Sequence, residues 1–182
     1  MILRETKQAP LTHEEMDSNF KSVFGIHNLF YVEDKKPSGT HGGSFTAGAW
    51  RTRDLNTIKI NNIQNADLIN NEIILPKGKY WCEIRSPAYW VDRHLIRLFN
   101  ITTNEVLCYG SHMYTLSQDS HSGAAAVNTY SDIRDTFELT NLSNLRVEHI
   151  CSKSYNNTGF GIGHSFDAPN IYTQCLFWKI GE

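Results

Sequence analysis

Helical periodicity appears once along the chain. After Thr12, the residues Met16, Phe20, Val23 and Phe24 fall at i, i+4, i+7 and i+8 and form one apolar stripe. Thr12 followed three residues later by Glu15 is a capping box. The Thr hydroxyl accepts the N–H of residue 15, and the Glu carboxylate reaches back to the N–H of Thr12. Glu14, Glu15 and Asp17 lie in the first turns, where the positive end of the helix dipole favours them, and Gly25 is placed to end the helix. So short a helix is marginal alone. Its stripe needs a partner, either copies of itself or the body of the protein.

From about Tyr31 the pattern changes to short alternating runs separated by turn signals, as expected of a sandwich or barrel. The runs are Asn56–Asn61, Glu72–Leu75, Tyr80–Arg85, His94–Ile101, Val106–Tyr109, Phe137–Leu139, Leu145–Ser152 and Ile171–Ile180. Lys35–Ser44 reads as an exposed loop and Pro76–Lys79 as a turn. No second helical pattern intervenes, which argues against parallel βαβ architecture, and no repeat of solenoid period is present.

Two of these runs are apolar on both faces. In His94–Ile101 one face carries Leu95, Phe99 and Ile101 with Arg97, and the other Ile96 and Leu98. In Ile171–Ile180 one face carries Tyr172, Leu176, Trp178 and Ile180, the other Ile171, Cys175 and Phe177. A sandwich strand with one face in water is polar on that face. Either these are central strands under a covering loop or one face meets another subunit; the subunit face is the favoured reading, since a small sandwich has few covering elements.

Composition narrows the partners. The 182 residues are 40% hydrophobic and 20% charged, as in an ordinary globular domain. A net charge of -2 argues against nucleic acid as the main partner, and no apolar run is long enough to span a membrane. The first residues lack the apolar core of a secretory signal, so synthesis in a cytoplasm is expected. Cys82, Cys108, Cys151 and Cys175 are widely separated with no C-x-x-C, and read as small buried hydrophobes.

Catalytic and metal patterns are weak. Gly159–Gly163 lacks nucleotide-loop spacing and reads as a bulge or tight bend in a strand. No H-x-H or H-x-x-x-H pair exists, so His94, His149 and His164 read as core or surface histidines, and no metal or cofactor is expected. Asp132, Asp135 and Glu138 cluster in sequence with nothing to organise an acid and a base. No G-x-S-x-G elbow is present, and the expectation is a non-enzyme. Glycan binding is better supported, because aromatic faces beside polar side chains suit sugars. Tyr89, Trp90, Asp92 and Arg93 form one candidate loop and Tyr155 with Asn156 another, with the polar stretch Gln118–Gly123 a third.

Two resemblances sharpen this. Pro10-Leu11-Thr12, with Glu15, Asp17 and Asn19-Phe20, resembles a short element near the N-termini of many bacteriophage tail proteins. The stretch from Tyr31 to the C-terminus resembles a C1q/TNF-like jelly-roll domain that closes many phage tail fibre proteins. The matching residues are Gly39–Gly43 leading into Ser44–Asn56, then Ile74–Tyr80, Ser86–Tyr89 with Arg93-His94, and Leu98–Asn100. Asn157–Ile162 and Leu176–Ile180 complete the series. The resemblance implies an antiparallel jelly roll over residues 31–182, preceded by an attachment segment over 1–30 with its short helix, and assembled as a homotrimer.

It further implies a virion tail protein that recognises a host bacterial surface glycan or protein. Met16, Phe20, Val23 and Phe24 would then serve trimer or virion attachment, joining other tail proteins. With about thirty residues ahead of the jelly roll, a compact tip is expected in place of a long fibre. The competing expectation is a purely structural virion component such as a collar, baseplate or head decoration; a polysaccharide depolymerase ranks third.

Overall fold

The computed structural model describes Lys7 and residues 9–23, 28–116 and 127–182, with the side chains of 20–23 left out. Phe24, Gly25, the stretch 118–123 and the side chains of Phe20 and Val23 thus lie outside the described residues.

The capping box forms as its residue spacing predicts. In α1 (His13–Val23) the Thr12 N–H donates to Glu15 Oε2 at 2.8 Å, and the Glu15 N–H donates to Thr12 Oγ1 at 3.2 Å. Lys7 pairs with the same carboxylate, which holds the Glu15 carboxyl below its ordinary range. Met16, the first residue of the stripe, is exposed.

The rest is β. The strands are β1 (Leu29–Lys36), β2 (Arg51–Thr52), β3 (Thr57–Asn61), β4 (Asp67–Ile69), β5 (Glu72–Leu75) and β6 (Gly78–Ala88). They continue with β7 (Asp92–Asn100), β8 (Glu105–Tyr109), β9 (Met113–Thr115), β10 (Thr129–Leu139), β11 (Ser143–Cys151) and β12 (Asn170–Gly181). One sheet has the order β10-β6-β12-β1-β3; the other runs β4-β5-β11-β7-β8, with β2 on β11 and β9 on β7. All pairings are antiparallel.

The order identifies the winding. Take β1, β5, β6, β7, β8, β10, β11 and β12 as eight successive strands. The sheets then read 1-8-3-6 and 2-7-4-5, which is two interlocked Greek keys, a jelly roll. The chain is a mainly β, antiparallel jelly-roll sandwich with a short helix before it.

Alternation decides what faces the core. Along β6, Tyr80, Cys82 and Ile84 point inward while Lys79, Trp81, Glu83 and Arg85 are exposed. These inward residues, with Phe30, Val32, Cys175 and Phe177, pack on Ile73, Ile96, Leu98, Leu145 and Val147 of the facing sheet. All four cysteines are free and buried in the interior. Hydrophobic burial of this kind contributes roughly 25 cal/mol per Å² and is the main stabilising term.

Both double-faced strands keep an apolar outer face. On β12, Cys175 and Phe177 are buried, whereas Leu176 and Trp178 are half-buried and Ile180 is 59% exposed. Trp178 lies between Leu29 of β1 and Trp81 of β6 in register. On β7, Ile96 and Leu98 are buried and Leu95, Arg97 and Phe99 are half-buried outside.

The two ends of the sandwich differ. At one end lie the short turns 76–77, 101–104 and 140–142 and the start of β1, where the chain enters. At the other lie the long connections 37–50 and 152–169 together with 89–91.

Candidate functional site

Three of these connections form one hydrogen-bonded plate. Phe45 and Tyr155 exchange backbone hydrogen bonds at 2.9 Å each way, Gly43 N–H donates to Asn157 O at 3.1 Å, and Phe160 N–H donates to Gly43 O at 3.0 Å. The 89–91 turn is tied in by Tyr89 N–H to Gly159 O at 3.1 Å and Lys153 N–H to Val91 O at 3.0 Å. Beneath the plate is a second small core of Phe45, Ala88, Val91, Cys151 and Phe160. Loops with their own core are held in one conformation before any ligand arrives, which lowers the ordering cost of binding.

Glycines allow this closeness. A Cβ on Gly159 would sit 2.5 Å from Tyr155 O, and one on Gly42 would sit 2.6 Å from Phe160 O. The Gly159–Gly163 run is therefore not a bend within a strand, as expected from sequence, but part of the loop plate. Its glycines serve backbone approach between loops.

On this plate the two aromatic segments meet. The rings of Tyr89 and Trp90 stack at 5.5 Å and 11°, and Tyr155 presents its edge to both, at 6.1 Å to Tyr89 and 5.3 Å to Trp90. All three are half-buried. Trp90 holds a left-handed φ of 58° in the tight turn, with its N–H 3.4 Å from Thr115 Oγ1. Its indole Nε1 is buried with no hydrogen-bond partner. Burial followed by the nearby Tyr155 raises the Tyr89 hydroxyl pKa, so the phenol stays protonated as a donor. Packed, half-buried rings beside polar groups offer the kind of partly apolar surface that suits a pyranose ring.

The other members of the candidate set fall differently. Asn156 is exposed on the plate, and Asp92 is half-buried with a left-handed φ of 68° at the start of β7. Arg93 does not join the triad. It lines a separate cleft of about 220 Å³ with Leu95, His112, Ile150 and Ser152. Strand alternation puts it on the outer face of the second sheet.

A polar floor that the sequence did not reveal supports the plate. Arg53 is 1% exposed; its Nε donates to Thr173 Oγ1 at 2.8 Å, Nη1 to Pro87 O at 3.3 Å and Nη2 to Phe160 O at 3.0 Å. Its guanidinium lies 4.2 Å from the centre of the Phe160 ring. Burial lowers its pKa to about 10, so it remains charged. Beside it, His94 Nδ1 and His149 Nε2 share a hydrogen bond at 3.0 Å, and His94 Nε2 pairs with Thr129 Oγ1 at 2.8 Å. The His149 ring packs 4.7 Å from Phe45.

Both histidines are held neutral. Burial first, then the Arg53 charge, pushes His94 down to about 4, and burial, Arg53 and His94 push His149 well below its ordinary 6.5. Unfolded histidines take a proton below about pH 6.5, whereas folded His94 resists until about pH 4. Stability is therefore fully present above about pH 6.5 and is lost as the pH falls towards 4, by about 3 kcal/mol from His94 alone. A melting series from about pH 7 to pH 4 checks this. A flat melting temperature over that window contradicts it.

Of the clustered carboxylates Asp132, Asp135 and Glu138, two lie beside cations. Asp132 lies 3.6 Å from Arg85 and Glu138 lies 3.7 Å from Lys79, on the outer face of the first sheet. Among the described residues no group of three or more His, Cys, Asp or Glu is placed to hold a metal ion.

No protein-family model matches the chain, and no curated protein does. Among solved structures, the globular domain of zebrafish complement 1qA protein is similar over 84% of this chain and 97% of its own, with a TM-score of 0.49 and 10% identity.

Proposed function

We propose that the protein is a non-catalytic virion tail protein of a bacteriophage, a compact receptor-binding head that assembles as a homotrimer and recognises a host-surface glycan or protein. The observation that carries this is the polarity of the sandwich. The chain enters at the start of β1, among the short turns, while the loop plate with Tyr89, Trp90 and Tyr155 closes the opposite end. A head held through its N-terminal segment would thus turn its aromatic plate outward. The outer face of the first sheet, with Trp81, Trp178 and Ile180, is the surface we assign to neighbouring protomers. A trimer would multiply weak single-site contacts through effective concentration.

Purified protein is expected to label intact host cells and to compete with phage adsorption. Protein that binds particles lacking it but never binds cells would favour a structural virion component instead.

A further inference from the structure

The outer faces of the two sheets carry charge in opposite ways. On the first, cross-strand partners cancel: Lys79 faces Glu138, Glu83 faces Arg134 and Arg85 faces Asp132. On the second, arginines face aromatics: Arg93 is opposite Tyr114, Arg97 opposite Tyr109, and Arg146 opposite Phe99. One carboxylate, Glu148, lies among them, and the other acids of that face, Asp67 and Glu72, lie at the β4–β5 edge. The β11, β7, β8 and β9 part is therefore basic on a chain whose net charge is -2.

This part is built, not loosely decorated. Glu148 is buried and accepts from Arg97 Nε at 2.6 Å and from Arg146 Nε at 2.6 Å, with Arg97 Nη2 at 2.5 Å. Arg97 lies 4.1 Å from the centre of the Trp50 ring and 4.9 Å from that of Phe99. One edge of its planar group is spent on Glu148; the opposite edge carries the remaining N–H donors. Tyr109 is 59% exposed and packs 6.5 Å from Trp50. Guanidinium donors beside the exposed Tyr109 and Tyr114 rings suit the carboxylate and the C–H face of an acidic sugar together.

We propose that this face binds a carboxylate-bearing polysaccharide along β7. The inference rests on the reading of the protein as a surface-recognition head, and it names the chemistry of the envelope polymer. Arg93 and Arg97 are four residues apart on one strand face, about 13 Å, so the platform suits a polymer better than a single sugar.

The test is titration of the full chain with polygalacturonate, with neutral dextran and single-stranded DNA as comparisons. Arg93→Gln and Tyr109→Ala are each expected to weaken polygalacturonate binding about threefold to tenfold, with binding also falling as salt rises. Lys77→Gln, an exposed charge change in the turn at the far end, should leave it unchanged. Equal binding to dextran, tighter binding to DNA, or indifference to Arg93→Gln and Tyr109→Ala overturns the inference. Dissociation of the oligomer by Tyr109→Ala also overturns it, since the face would then be a subunit contact. Cells bound without polygalacturonate affinity sink this inference alone; polygalacturonate bound by protein that ignores cells sinks the receptor reading alone.

Discussion

Arg53→Ala is expected to lower the free energy of unfolding by about 4 kcal/mol, because it strips a buried donor set from several acceptors at once. Thr173 Oγ1, Pro87 O and Phe160 O lose their Arg53 donors together, and Asp34 loses a nearby positive charge. At fixed protein concentration this corresponds to a drop in melting temperature of about 10 °C for a chain of this size. Arg53→Lys should recover only part of it, since a compact ammonium cannot span three acceptors in a fixed fork. The loop plate sits directly on this group, so Trp90 fluorescence should change before the global transition. A melting temperature within about 2 °C of wild type would contradict the role given to Arg53.

The second large effect concerns assembly. Trp81→Glu and Ile180→Asp are expected to convert the proposed trimer into single 20.8 kDa chains. In one protomer Ile180 is 59% exposed, so a charge there costs the isolated fold little, whereas Trp81, at 36%, also gives up packing beside Trp178. Buried in an interface, the same unpaired carboxylate costs several kcal/mol in every protomer. Native mass, read beside circular dichroism, separates dissociation from unfolding. Variants that stay trimeric would move the interface elsewhere, and a monomeric wild type would remove the trimer altogether.

Much of the fold is legible in the residues. Short apolar runs bounded by turn signals marked β5, β7, β8, β11 and β12 to within about two residues, and the Thr12–Glu15 spacing announced both capping hydrogen bonds. β10 was mostly missed, because Asp132, Arg134, Asp135, Thr136 and Glu138 dilute its apolar positions along an edge strand of the first sheet. β2 and β9 are too short for any period to register.

The site was half legible. Tyr89-Trp90 and Tyr155-Asn156 stood out by composition, and sixty-odd residues of intervening chain return them to one plate. Arg93 was misgrouped with them because adjacency in a strand puts neighbours on opposite faces. Arg53 and the His94–His149 pair left no local signal: their partners come from other strands and loops, Arg53 being 120 residues from Thr173. The arginine–aromatic pairing of the second sheet likewise exists only in cross-strand register. Only the stripe on β7, with Arg97 among Leu95 and Phe99, hinted at it.

The aromatic plate carries the central claim, and equilibrium binding of labelled protein to intact host cells tests it most directly. Trp90→Gly removes the central ring of the triad while suiting the left-handed φ of 58° at that turn. With three plates engaged in the proposed trimer, the variant is expected to bind cells at least about tenfold more weakly than wild type, at unchanged native mass and fold. Cells stripped of the recognised surface component should bind neither protein. Equal cell binding by Trp90→Gly and wild type would contradict the assignment of recognition to the loop plate.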